Sequence, residues 1–132
     1  MPLLWMIDDA PGNLNVAEST VALVPGWYFA GHDCGAAGVA AFRLAAKTPA
    51  TLPDVVLIDF YLGDTTGDQV ARSLRALAPG GWTGCLIGHS SVAAMSRVIV
   101  SAGAHLALPK HHNEQGINPS LLSWLQAHSR GC

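Results

Sequence analysis

Three acids, a hydroxyl and an amine close four apolar runs of this sequence. Asp8 and Asp9 follow Leu3 to Ile7, and Asp59 follows "VVLI" from Val55 to Ile58. Ser90, with Ser91 beside it, follows Cys85 to His89, and Lys110 follows Ala104 to Pro109. Clustered carboxylates repel one another and need a neutralising charge. A hard divalent cation with oxygen ligands supplies it, and Mg²⁺ takes one or two carboxylates directly while keeping several waters. A lysine adds a second positive centre. Such a site suits an anion that brings its own oxygens, phosphate above all, and a hydroxyl can donate to one of them. A carboxylate can also be the nucleophile itself, since aspartyl phosphates form in this way.

These residues can act together only if the chain brings the ends of the runs to one place. The runs at 3–7, 27–30, 55–60, 85–89 and 104–108 have β-type composition. Helix-like stretches at 13–23, 35–46, 68–77, 92–101 and 119–128 separate or follow them. Pro25-Gly26 and Pro79-Gly80-Gly81 break the pattern. Asn118 and Pro119 suit the N-cap and first position of the last helix. The helix from Val92 reads as short, because the segment between Ser90 and Gly103 is brief. Near-continuous apolar strands joined by helical crossovers predict a parallel sheet covered on both faces. In an open sheet of that kind, functional groups gather beyond the carboxyl ends of the strands. Asp8, Asp9, Asp59, Ser90 and Lys110 all fall there.

Bulk properties narrow the class. The chain has 132 residues, half of them apolar, and reads as a single domain over 1–132 with no linker or repeat. Charged residues are 12% and the net charge is −2, which lacks the basic footprint of a nucleic-acid binder. No apolar run approaches the length of a membrane span. Met1 to Ile7 lacks the basic flank of a signal peptide. Cys34, Cys85 and Cys132 read as reduced thiols of a cytoplasmic protein.

The motifs, taken in order, carry a resemblance over nearly the whole chain. "MIDDAPGN", "LIDFYLGDTTG", "CLIGHSS" and "SAGAHLALPK" together resemble the CheY-like receiver domain of response regulators in bacterial two-component signalling. That resemblance implies a flavodoxin-like (βα)5 doubly wound α/β fold with a five-stranded parallel sheet of order 2-1-3-4-5. It implies that Asp59 accepts a phosphoryl group from a histidine kinase or histidine phosphotransfer protein. Asp8, Asp9, Asp59 and the main-chain carbonyl of Tyr61 would hold Mg²⁺. Ser90 would bond a phosphoryl oxygen, and Lys110 would pair with Asp59 or its phosphate. Such a domain catalyses its own phosphorylation and dephosphorylation rather than turning over another substrate. Its output would be a changed protein-protein surface toward an unknown partner, or a homodimer through the face of the fourth helix, fifth strand and fifth helix.

Departures from the family pattern carry their own expectations. Proline precedes Lys110 rather than following it, which puts the loop geometry there in question. Ala107 stands where an aromatic switch residue is usual, leaving His89 or His105 as candidates to rebuild the coupling. Gly63 replaces a proline and should loosen the loop after Asp59. Asp64 and Asp68 read as solvated loop and helix-terminal acids, His111-His112 as a surface loop, and the four tryptophans as packing residues. Asp8 and Asp9 could instead cap the helix near Asn13. Two rival functions stay open: a degenerate receiver that acts as a constitutive interaction module, and a Mg²⁺-dependent phosphatase using Asp59 as nucleophile. Against the latter, Tyr61 occupies the second position of the usual Asp-x-Asp pattern.

Overall fold

A computed structural model describes residues 2–128. The elements run β1 (Leu3–Ile7), α1 (Pro11–Val21), β2 (Tyr28–His32), α2 (Gly35–Ala45), a 3-10 turn (Pro49–Thr51), β3 (Val55–Ile58), α3 (Gly67–Leu77), β4 (Cys85–Gly88), α4 (Ala93–Ser101), β5 (Leu106–Ala107) and α5 (Pro119–Ala127). All strand pairs are parallel, and the sheet order is β2-β1-β3-β4-β5. The doubly wound flavodoxin-like sandwich expected from the sequence is therefore the one observed.

Alternation along the central strands builds two cores. Trp5, Ile7, Val56, Ile58 and Leu86 face Phe42 of α2, Val70 and Leu74 of α3, and Ile99 of α4. Their neighbours Leu4, Met6, Val55, Leu57 and Ile87 face Ala17 and Val21 of α1 and Leu121, Trp124 and Leu125 of α5. Because side chains in a strand alternate between faces, an apolar run without alternation is what a sheet covered on both sides demands. Trp5, Trp27 and Trp124 are buried and Trp82 packs against the first core, so the tryptophans are packing residues. Of Val98, Ile99 and Val100 in α4, only Ile99 is fully buried, while Val98 is exposed.

Two expectations need correction, and one alternative reading falls away. β5 is shorter than the run at 104–108: only Leu106 and Ala107 pair with β4, through Ile87 and Gly88. As an edge strand it has a partner on one side alone. Helix α1 begins at Pro11 after an Ala10 N-cap that uses no side chain, so neither Asp8 nor Asp9 caps it at the N-cap position. Cys34 is free, but buried Cys85 is disulfide-bonded; Cys132 lies outside the described residues.

Candidate functional site

Parallel register aligns the strand ends that carry the acids. Ile7 pairs with Ile58 and Ile58 with Gly88. The ladder continues for one residue beyond the strands, with Asp59 N–H donating to Ile7 O at 3.1 Å and His89 N–H to Ile58 O at 2.9 Å. Asp8 is fully buried, Asp59 is 8% exposed and Asp9 is exposed. One carboxylate oxygen from each lies within 4.8 Å of the others. Into this cluster reaches Lys110. Its Nζ pairs with Asp8 Oδ2 and, at 3.1 Å, with Asp59 Oδ1. The sequence-predicted acids and lysine thus converge from three separate loops.

The two buried acids are held differently. Asp8 Oδ1 accepts from the Ala10 N–H at 2.9 Å and from Asn13 Nδ2 at 3.2 Å, while its Oδ2 has the lysine pair alone. Burial, and next the negative charge of Asp8, hold the Asp59 carboxyl above the usual carboxylate range; Lys110 pulls the other way. An acid that is hard to ionise needs more positive charge than one lysine supplies. The donor set is all oxygen, one member opens to solvent, and Asp8 Oδ2 has no partner besides the Lys110 ammonium. These features fit a hard cation of the Mg²⁺ type.

Two hydrogen bonds, Leu62 N–H to Thr65 O at 3.2 Å and Gly67 N–H to Phe60 O at 2.7 Å, close the loop after Asp59. They flank Tyr61 and leave its carbonyl uncommitted among the described residues, free to serve a ligand. Tyr61 is 62% exposed, and its ring meets Phe60 edge-on. Ser90 is buried whereas Ser91 is exposed. The Ser90 Oγ accepts from the Val92 N–H at 3.1 Å, and its own hydrogen has no acceptor among the described residues. Beside it, a cleft of about 390 Å³ lined in part by Ser90, Ser96, Arg97 and Ala107 occupies the space next to the small Ala107 side chain.

Neither histidine stands in for the absent aromatic residue. His105 directly precedes β5 at the other end of the sheet, where its Nδ1 accepts from the Leu86 N–H. His89 points to the α1–α5 side, with Nε2 3.3 Å from Asn118 Nδ2. Burial, and then the Lys110 charge, push its pKa down to about 3, so it is neutral. His111 and His112 are exposed, as expected of a surface loop. All peptide bonds of the described residues are trans, including the one after Lys110, and the lysine still reaches both acids.

Solved structures share this arrangement of strands and helices. A receiver domain protein (CheY-like) from Methylobacillus flagellatus superposes with a TM-score of 0.74 at 19% identity, covering 96% of this chain and 98% of its own. One from Methanospirillum hungatei JF-1 gives 0.73 at 19% identity, covering 96% and 92%. The receiver domain of the histidine kinase CKI1 from Arabidopsis thaliana, complexed with Mg²⁺ and BeF₃⁻, gives 0.74 at 17% identity, covering 87% and 85%. The chain has the receiver-domain fold. No protein-family model matches the sequence, and neither does any curated protein.

On this receiver fold one acid does more than its sequence suggested. Asp64 was expected to be merely solvated, yet its two oxygens accept from the Gly35 N–H at 2.9 Å and the Ala36 N–H at 2.8 Å. It caps α2 from a loop 29 residues downstream. Gly63 before it has φ +80°, a left-handed conformation that proline cannot adopt. The loop is therefore tethered rather than loosened. No local signal reveals such a cap, because its partners are distant in sequence. These N–H bonds hold the Asp64 carboxyl below the usual range. A carboxylate with a depressed folded-state pKa stabilises above its unfolded pKa, and the contribution is lost as pH falls through the folded value. Asp64→Ala is expected to lower the melting temperature by a few degrees at neutral pH, with the difference shrinking in acid; a pH series of thermal melts checks it. Asp68 stands in the first turn of α3, as expected, and pairs with Arg72 at 3.1 Å.

Proposed function

We propose that this chain, read as one receiver domain over 1–132, accepts a phosphoryl group on Asp59 from a phosphohistidine of a histidine kinase or phosphotransfer protein. The observation that carries this reading is the Lys110 ammonium lying between Asp8 and Asp59 within a cluster of three acids. Mg²⁺, held by Asp8, Asp9, Asp59 and the Tyr61 carbonyl, would neutralise the phosphoryl oxygens. The rest falls to the protein. Asp59 attacks phosphorus, an O–P bond forms, and the P–N bond of the donor breaks with its electron pair returning to the imidazole. Lys110 favours the ionised nucleophile beforehand and then pairs with the phosphate. The free hydrogen of the Ser90 hydroxyl turns to a phosphoryl oxygen. Because charge in this transition state spreads over the phosphoryl oxygens, positioned positive charge and donors supply most of the catalysis.

Phosphorylation then shifts an equilibrium between packings of the surface near α4, where Val92 and Val98 are exposed. That α4–β5–α5 face is the proposed contact for an output partner or a second copy. We assign the domain to the cytoplasm, where kinases of this class act; no helix among the described residues is long and apolar enough to cross a membrane.

The test is incubation with a small phosphodonor such as phosphoramidate, with and without Mg²⁺, followed by intact mass and peptide mapping. One phosphate on Asp59, dependent on Mg²⁺, is expected. A folded protein that takes up none would instead be an interaction module, and turnover of a phosphate ester would point to a phosphatase.

A further inference from the structure

We propose that Asn118, the N-cap of α5, is the positioning residue for Lys110. The inference rests on the role given above to Lys110. Lys110 lies in the irregular segment between β5 and α5, yet its ammonium must meet two acids carried by other strands. Something must fix the main chain from which it springs.

The hydrogen bonds of that segment are few. Leu108 N–H donates to Gly88 O at 3.0 Å and ends the ladder. Pro109 has no N–H to offer. The next main-chain bond along the segment is Asn113 N–H to Ile117 O at 2.8 Å. Between these two points, the main chain of residues 109–112 has one hydrogen bond among the described residues. The Pro109 carbonyl accepts from Asn118 Nδ2 at 3.1 Å. That carbonyl belongs to the peptide group that leads directly into Lys110.

The amide that makes this bond is itself fixed. Asn118 is 1% exposed. Its Oδ1 accepts from the Ser120 N–H at 3.0 Å and the Leu121 N–H at 3.2 Å, as a helix cap does. Its main-chain N–H donates to Thr20 Oγ1 at 3.0 Å, and that hydroxyl donates to Val16 O at 2.7 Å. With the oxygen committed to the helix, the NH₂ group must face the other way, toward the Pro109 carbonyl and His89 Nε2. Neutral His89 can accept there. So α1, β4 and α5 together aim one N–H at the peptide before Lys110. A cap needs an acceptor only, and serine or aspartate serves as well. The donor half of the amide is what the cap does not require.

Asn118→Ser and Asn118→Asp both retain a capping oxygen and remove that donor. Using two variants guards against one that folds poorly, and melting curves identify it. The first readout does not involve phosphate. The chain has two lysines, Lys47 and Lys110. Lys110 has a side chain only 11% exposed and Lys47 is exposed. Labelling by an amine-reactive reagent should become about tenfold faster at Lys110 in the variants and stay unchanged at Lys47. Equal Lys110 labelling in wild type and folded variants would overturn the proposal, whatever becomes of the phosphorylation reading. The second readout is kinetic. Phosphate incorporation should slow about tenfold while Mg²⁺ affinity by calorimetry changes less than twofold. In a Lys110→Ala background the same Asn118 substitution should cost nothing further. An equal loss in both backgrounds would mean that Asn118 acts through general stability and not through Lys110.

Discussion

Asp59→Asn is expected to abolish phosphate incorporation and also, without Mg²⁺, to raise the melting temperature at neutral pH. The first effect follows from removing the attacking oxygen, since an amide is no nucleophile at this step; incorporation should fall at least ~1000-fold, the order seen when a nucleophile is lost. The second follows from the surroundings of the carboxylate. Burial and the neighbouring Asp8 raise the Asp59 pKa despite Lys110. The folded state therefore binds this proton more tightly than the unfolded chain does. Stability from this group is present at low pH and is lost as pH rises from the unfolded pKa through the raised folded value. The wild type carries the cost of ionising this acid as pH rises, and the amide, which does not titrate, carries none. Lys110 keeps Asp8 as its partner in the variant. A measurable gain in melting temperature is therefore expected. It should shrink as the pH is lowered. Saturating Mg²⁺ should reverse the order, because a ligand that binds only the native state stabilises by about 2.7 kcal/mol at a hundred times its Kd. The variant, lacking one carboxylate ligand, gains less. A wild type more stable than Asp59→Asn without Mg²⁺ at neutral pH would show that Lys110 outweighs burial and Asp8 combined.

Sequence legibility followed the range of the interactions involved. The strands were readable because burial on both faces leaves an unbroken apolar run, as Val55 to Ile58 does. The acids were readable because parallel strands place their carboxyl ends on one edge, so Asp8 and Asp59 needed only the register to meet. Asn118 was readable as a cap, because a cap is defined within three residues. Its second hydrogen bond, to Pro109, depends on how α5 docks against β4 and α1, and nothing local encodes that. Asp64 was misread for the same reason: its partners lie on a helix that precedes it by 28 and 29 residues. Gly63 shows the converse error. Glycine was taken as a loss of stiffness relative to proline, whereas its φ of +80° gives the backbone a turn that proline forbids. The tether at Asp64 then removes the freedom that glycine would have given.

Gly67→Ala should cost about 2 kcal/mol of stability, although it adds one methyl group to the first position of a helix. Elsewhere in a helix that change is favourable by roughly 0.5–1 kcal/mol. Gly12, in the first turn of α1, is such a place, since a Cβ there would meet nothing within 4 Å. At Gly67 the methyl carbon would run into the carbonyl oxygen of Asp59, with Ile99 Cδ1 2.9 Å away on another side. A side chain can rotate aside, but the Asp59 carbonyl is main chain at the exit of β3. The Gly67 N–H is also bound to Phe60 O at 2.7 Å, which pins the helix start against that same turn. Relief requires α3 and the β3 exit to move apart, and forced backbone shifts in packed regions cost typically 1–3 kcal/mol. Losing the helix preference for alanine does not arise, so steric overlap must outweigh a favourable term to produce the loss. Urea denaturation of Gly67→Ala beside Gly12→Ala tests this directly. At a slope of ~2 kcal/mol per molar urea, the first midpoint should fall by about 1 M and the second should rise slightly. The displaced carbonyl belongs to the residue proposed as nucleophile, so Gly67→Ala should also slow phosphate incorporation under conditions where it remains folded. A midpoint unchanged from wild type would mean that the β3 exit yields freely, and that the position of Asp59 is set by its side-chain partners instead.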